Sequence, residues 1–328
     1  MSKISWGVLS TARIGLEKVI PAMQRGKYSE ITAIASRDPG RAKKAAKKLG
    51  IPRAYGSYEE LLADQEIAAV YIPLPNHLHV EWTIKSLEAG KHVLVEKPLG
   101  MNLKEVERLL ERIKSFPKLK VMEAFMYRFH PQWKKVRELI DGRIGNLRWI
   151  HSTFSYYNVN PMDIRNQADI GGGGLLDIGC YCISLSRFLF RSEPRRVCGS
   201  IEYDPKMRID RLASAVLEFG NGISTFACST QLANHQRGEV FGTRGRIEIE
   251  YPFTPPQHTS TKLIHREGES TREFVFEGCD QYKLQGDIFS RAILEDLAVP
   301  TPIEDGVANM RVIDRIIESS RKGAWVQV

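Results

Sequence analysis

The sequence predicts an α/β protein: a doubly wound parallel sheet at the N-terminus, then a C-terminal α/β domain with a large, open, mainly antiparallel sheet. Three observations carry this. At 328 residues the chain exceeds a typical single domain and is long enough for two cores. Through residue 124, short Val/Ile/Ala-rich runs alternate with amphipathic stretches, as in β-α-β units whose strands are covered on both faces. After residue 195, strand-like segments follow one another with only turn residues between them. The expected division is 1–124 and 125–328, with no linker, repeat or low-complexity tract at the join.

The strands expected in the first part are 4–10, 30–36, 69–72, 92–95 and 120–124. Asp38 before Pro39, Ser57-x-x-Glu60 and Asn102-x-x-Glu105 are helix starts, and Gly50 and Gly90 are helix stops. In the second part the pattern predicts a helix around 131–141, a long strand within 145–157, and a glycine-rich loop entering a helix at 174–190. Seven strands follow, at 195–203, 211–219, 222–230, 237–241, 245–251, 261–266 and 271–276, with Phe219-Gly220-Asn221-Gly222 marking one hairpin. Two helices, 281–298 and 305–322, end the chain.

The first strand-to-helix turn places Ser10-x-Ala12-x-x-Gly15 where a Rossmann dinucleotide fold carries G-x-G-x-x-G. Serine and alanine are small enough for a pyrophosphate to approach the amides at the helix start. Ser10, Thr11, Ala12, Arg13 and Ile14 are therefore cofactor-binding candidates. The second strand ends in Ser36-Arg37-Asp38, where the adenosine ribose is read. The hydroxyl of Ser36 and the guanidinium of Arg37 suit a 2'-phosphate, which favours NADP(H) and leaves NAD(H) possible. Asp38 either faces a ribose hydroxyl or caps the helix that starts at Pro39, and the cap is preferred. At the carboxyl edge of the third strand, Pro73, Leu74, Asn76 and His79 are further cofactor candidates, with Asn76 equally suited to cap the next helix.

Glu96-Lys97-Pro98 closes the apolar run 92–95. A lysine there needs a partner or ligand for its charge, so Glu96 and Lys97 join the site, against the plainer reading of a surface lysine before a turn proline. Tyr181 ends the run Gly171 to Tyr181, and Asp177 precedes it by four residues, on the same face of a helix. A phenol near pKa 10 suits proton donation to a carbonyl, and a neighbouring ammonium stabilises the phenolate. Taken singly, Tyr181 also reads as a half-buried aromatic and Asp177 as a first-turn carboxylate.

A net charge of +8 suggests nucleic acid, but the densest basic cluster, Arg41 to Lys48, lies on one helix without interleaved aromatics or a recognition motif. No nucleic-acid partner is expected. No apolar stretch of about 18 residues is read, so no membrane partner is expected either. Five cysteines without framework or zinc spacing indicate reduced thiols, no metal and a cytoplasmic location.

Ser10-x-Ala12-x-x-Gly15, Pro75-Asn76-x-x-His79, Glu96-Lys97-Pro98, the run Met122 to Pro131 and the run Gly172 to Tyr181 together resemble, in order and spacing, the glucose-fructose oxidoreductase / inositol dehydrogenase / MocA (Gfo/Idh/MocA) family. The resemblance covers essentially the whole chain. Tyrosine at 181, where inositol dehydrogenase-like members carry histidine, is similar to the dimeric dihydrodiol / D-xylose dehydrogenase and sugar 3-ketoreductase branches. It implies an NADP(H)-dependent oxidoreductase moving a hydride between nicotinamide C4 and a sugar, keto-sugar or cyclic polyol, with Lys97 and Tyr181 catalytic. It also implies substrate bound between the domains and a homodimer or homotetramer formed through the C-terminal sheet. Arg128, Tyr156, Asp163, Arg165, Asp177 and His235 are the substrate-binding candidates. The alternative is a non-catalytic NAD(P)-sensing protein of the same fold.

Overall fold

The computed structural model describes residues 2–328. They form two compact units: one takes residues up to 126 together with Asp280–Val307, the other Tyr127–Cys279 with Ala308–Val328.

In the first unit, β1 (Ile4–Leu9), β2 (Ser29–Ala35), β3 (Arg53–Tyr55), β4 (Ala69–Ile72), β5 (His92–Val95) and β6 (Val121–Glu123) form one sheet in the order β3-β2-β1-β4-β5-β6. Every neighbouring pair is parallel. This is the strand order of the dinucleotide-binding Rossmann fold, with its switch point between β1 and β4. β3 is not among the expected strands; three half-buried residues carry too little apolar pattern to announce an edge. The helices are α1 (Ile20–Gln24), entered through a π-type turn at Gly15–Val19, then α2 (Pro39–Leu49), α3 (Tyr58–Ala63), α4 (His79–Glu88) and α5 (Leu103–Ile113). Ser57 and Asn102 cap α3 and α5 with their side chains, and Gly50 ends α2 in the left-handed region.

The second unit opens with α6 (Gln132–Gly142) and β7 (Leu147–Tyr157) and continues into α7 (Cys180–Phe190), entered through a second π-type turn at Leu175–Gly179. Then come β8 (Arg196–Tyr203), β9 (Asp210–Phe219), β10 (Gly222–Ser229), β11 (Gln231–Gly242), β12 (Gly245–Ile249), β13 (Thr261–Glu267) and β14 (Ser270–Phe276). After α8 (Gln281–Leu294) and α9 (Ile303–Lys322), β15 (Val326–Gln327) pairs with β8. The nine strands run β14-β13-β12-β11-β7-β10-β9-β8-β15, and only β7 and β10 pair in parallel. β11 starts at Gln231, six residues before the strand expected there; its first half is polar and exposed, which hides it from a hydrophobic pattern.

α7 is buried along most of its length against one face of this sheet. Residues 168–190 are, contrary to the expectation, long and apolar enough to cross a membrane, but 83% of that apolar window is buried within the protein. It is a core segment. The other face of the sheet carries exposed aromatics and aliphatics, among them Trp149 and Ile223, which are direct neighbours across β7 and β10.

α8 belongs with the first sheet. Trp6 on β1 is fully buried, donates from Nε1 to Ser290 Oγ at 3.0 Å, and packs against Phe289 at 5.6 Å between ring centroids. A cut at residue 124 alone leaves this return of the chain out of the first unit.

Candidate active site

Ser10 sits at the end of β1 with φ of 127°, a region glycine ordinarily fills. Its Oγ accepts from Ala12 N at 3.1 Å and donates to Pro73 O at 3.2 Å, joining the ends of β1 and β4 across the switch point. The first i to i−4 bond of the following helix is Leu16 N to Ala12 O, so Arg13, Ile14 and Gly15 supply first-turn amides. A Cβ on Gly15 would make ordinary contacts with Pro73 and Tyr71 at 3.6 and 3.8 Å, so the turn passes beside the end of β4 without glycine being required there. These residues fit a dinucleotide pyrophosphate.

At the end of β2, Ser36 Oγ accepts from Asp38 N at 3.2 Å, and Arg37 is exposed, its positive charge opposing the rise that burial imposes on the Tyr58 phenol pKa. Asp38 Oδ1 accepts from Gly40 N and Arg41 N at 2.9 and 3.1 Å. It caps α2, as preferred, and Arg37 and Arg41 leave the strand end basic.

His79 is corrected by the structure. It is 1% exposed, and its two ring nitrogens lie 2.7 Å from the carbonyl oxygens of Leu74 and Pro98. No face of the ring is left for a cofactor; the residue ties the loop after β4 to the loop after β5. Burial pushes its pKa down to about 4, outweighing the two carbonyls, which favour the charged ring. Asn76 opens a single 3-10 turn, without a side-chain cap. Glu96 accepts from the Tyr71 hydroxyl at 2.6 Å, and the Lys97–Pro98 peptide beside it is cis.

In the second unit Tyr181 is the second residue of α7 and is 5% exposed. Its ring packs against Tyr127, Phe154 and Phe253 at centroid distances of 5.7, 5.7 and 5.6 Å. The apolar walls hold its direction. Asp177, on the π-type turn, accepts from the Tyr156 hydroxyl at 2.7 Å and pairs with Arg165 Nε at 3.3 Å, and Arg165 reaches Asp163 at 3.3 Å. Four of the six substrate candidates thus form one network centred on Asp177, four residues before Tyr181. Burial, with the Asp177 charge, pushes the Tyr156 pKa up and keeps it a hydrogen-bond donor, while Asp177 raises that of Arg165.

The other two candidates lie elsewhere. Arg128 donates to Ser184 Oγ at 2.8 Å and stacks over Phe188 at 5.2 Å, supporting α7 rather than joining the network. His235 pairs with Ser155 across β7 and β11, so it shares the face of Ser155 and points away from that of Phe154 and Tyr156. It is on the open face, away from Tyr181. Asp210 at the start of β9 was missed: its carboxylate accepts from the amide of Leu175 at the entry to the site turn. A run of glycines signals a close approach, but not which carboxylate approaches. Among the described residues no cluster of His, Cys, Asp and Glu could hold a metal ion.

The sheet order, the strained first turn and the basic end of β2 define a dinucleotide-binding protein. The Gfo/Idh/MocA pattern described as an oxidoreductase family with an NAD-binding Rossmann fold matches residues 4–125, and that of the family's C-terminal domain matches residues 133–248. An uncharacterized oxidoreductase of Rhizobium meliloti is 43% identical over the whole of both chains. A D-xylose 1-dehydrogenase (NADP(+)) of Haloferax volcanii is 37% identical over 98% of this chain and 99% of its own. A 3-ketoreductase of Actinomadura kijaniata, solved with NADP and TDP-benzene, matches with TM-score 0.90 at 31% identity, over 98% of both chains. The same enzyme is known with a lysine changed to alanine (TM-score 0.87, 29% identity, 98% of both chains) and with a tyrosine changed to phenylalanine (TM-score 0.90, 31% identity, 98% of both chains). The chain belongs to the Gfo/Idh/MocA oxidoreductase family. It is an oxidoreductase whose first unit carries that family's NAD-binding Rossmann domain.

Proposed function

We propose that the substrate is a sugar, keto-sugar or cyclic polyol, with Tyr181 the proton donor and acceptor and Lys97 the group that lowers its pKa. The bound nicotinamide supplies the hydride for reduction, or takes it in oxidation. In reduction Tyr181 gives its proton to the carbonyl oxygen as the hydride reaches carbon, and the Lys97 ammonium stabilises the phenolate left behind. Asp177, held by Tyr156 and Arg165, offers its carboxylate to a substrate hydroxyl. Arg37 at the end of β2 would take the 2'-phosphate. The observation that carries this reading is the network of Tyr156, Asp163 and Arg165 centred on Asp177, four residues before Tyr181. It has outside support: the two residues altered in the Actinomadura ketoreductase are a lysine and a tyrosine, as far apart along that chain as Lys97 and Tyr181 are here.

The same reading includes self-association through the open face of the nine-stranded sheet, where Trp149 stacks on Phe241 at 4.7 Å and remains 37% exposed. It also includes a cytoplasmic location, which suits five cysteines with no disulfide among them in the described residues.

The test is turnover on a panel of aldoses, inositols and keto-sugars, with NADPH binding followed separately by fluorescence. Tyr181→Phe and Lys97→Ala are expected to bind NADPH as the native protein does and to lose about 100-fold or more in kcat. Full turnover in either variant overturns that assignment; NADPH binding without turnover on any substrate moves the sensor reading to the front.

A further inference from the structure

The glycine run before Tyr181 is shaped around two approaches. Gly172 N donates to Gln167 O and Gly173 N to Arg165 O, both at 2.9 Å, which ties the run to the loop carrying Asp163 and Arg165. On the other side comes Asp210. Gly173 has φ of 128°, and a Cβ there would stand 1.9 Å from Asp210 Oδ1. The carboxylate accepts from the Leu175 amide through Oδ2, and the nearby amides of Gly174 and Asp210 itself favour its charged form. Gly174 and Leu175 open the turn Leu175–Gly179 that holds Asp177 and leads into Tyr181.

We propose that Asp210 is a positioning residue: its carboxylate holds the glycine turn in register, and with it Asp177 and Tyr181. The inference deepens the proposed function, resting on it for the roles of those two residues. Ionised, the carboxylate is an acceptor only, as the Leu175 amide requires; protonated, one of its oxygens becomes a donor facing N–H groups.

The groups facing Asp210 are Asp177 on the turn, Cys228 on β10 and Tyr203 on β8, with Arg211 next along β9 paired to Glu202. Burial raises the pKa of both the Cys228 thiol and the Tyr203 phenol, so the charge that matters is that of Asp177. Burial, and then Asp177, push Asp210 up to about 7 against the pull of its amides. The turn is therefore held by a group that changes charge near neutrality.

The sign for stability is opposite to that for activity. With a raised native pKa, the folded protein binds this proton more tightly than the unfolded chain does. The stabilisation is complete below the ordinary carboxylate range and is lost as pH rises through about 7. Asp210→Asn fixes the neutral form. Its Tm is expected to exceed the native protein's already at about pH 5.5 and by more at about pH 8.5. Its kcat/KM is expected to match at the lower pH and to fall about 10-fold or more at the higher one, the cost of a lost charge-assisted hydrogen bond.

The ratio of native to variant kcat/KM, followed across pH, should titrate with a midpoint near 7. Hydrogen exchange on the native holoenzyme needs no variant: the protection factors of the amides in 171–181 should change with a midpoint in that range. A native-to-variant ratio flat with pH, or protection that does not change, overturns the proposal. The exchange and Tm readouts need no substrate, so they judge Asp210 even if no sugar is turned over.

Discussion

A side chain at φ near 127° crowds its own backbone, and such outliers cost about 1–3 kcal/mol. Ser10 bears that strain and recovers it through two hydrogen bonds, to Ala12 N and Pro73 O, each worth about 1 kcal/mol net. The two terms nearly cancel. Ser10→Gly, which removes both, is expected to leave stability within about 1 kcal/mol of native, whereas Ser10→Ala keeps the strain and loses the bonds, at about 2 kcal/mol. Urea denaturation of the two variants checks this, and equal losses would show that the serine is not held as described. The sequence made Ser10 legible as a stand-in for glycine, because the spacing to Gly15 survives. It did not reveal the strain, nor that His79 is used up by two carbonyls, since both depend on where a distant loop runs.

The same gap appears with whole elements. α2 was readable from its two ends, Asp38 before Pro39 and Gly50 after the last turn, because caps are local chemistry. β3 and the first half of β11 were not, because a short or polar strand exists only through its neighbour's hydrogen bonds. The substrate network divides along that line. Asp177 and Tyr181 were paired by spacing and Tyr156 was named as a candidate without its partner, while Asp210 on β9 was not seen, and only sheet register sets the direction of His235. The Asp38 cap gives the element-scale prediction. Asp38→Ala should lower stability by about 1 kcal/mol and leave the preference for NADPH over NADH unchanged. Arg37→Ala should leave stability unchanged and weaken NADPH binding alone by about 10-fold or more. Thermal melts and fluorescence titrations with both nucleotides separate the two, and a shift in nucleotide preference on removing Asp38 would return that carboxylate to the ribose.

For the whole chain, the two-part architecture follows from composition and from the change of pattern near residue 124, but the return of Asp280–Val307 to the first unit does not. Nothing local in α8 says which sheet it covers. We propose on this basis that a fragment of residues 1–126 leaves Trp6 and Met23 without their cover of Phe289, Ser290 and Gly286. It should lack the near-ultraviolet circular dichroism of a packed tryptophan. The same fragment joined through a flexible linker to residues 280–307 should regain it, and a well-packed short fragment would place the boundary at 126 instead. The return also sets a schedule for biosynthesis. Trp6 leaves the ribosome 284 residues before its partner Ser290. At roughly 5–20 residues per second the unfinished first sheet waits on the order of 15–60 s for the helix that closes it. An apolar strand that young and that long exposed is a natural client for the chaperones that meet nascent chains. A slowed ribosome before α8 is made should therefore hurt the yield of this protein more than a pause after it.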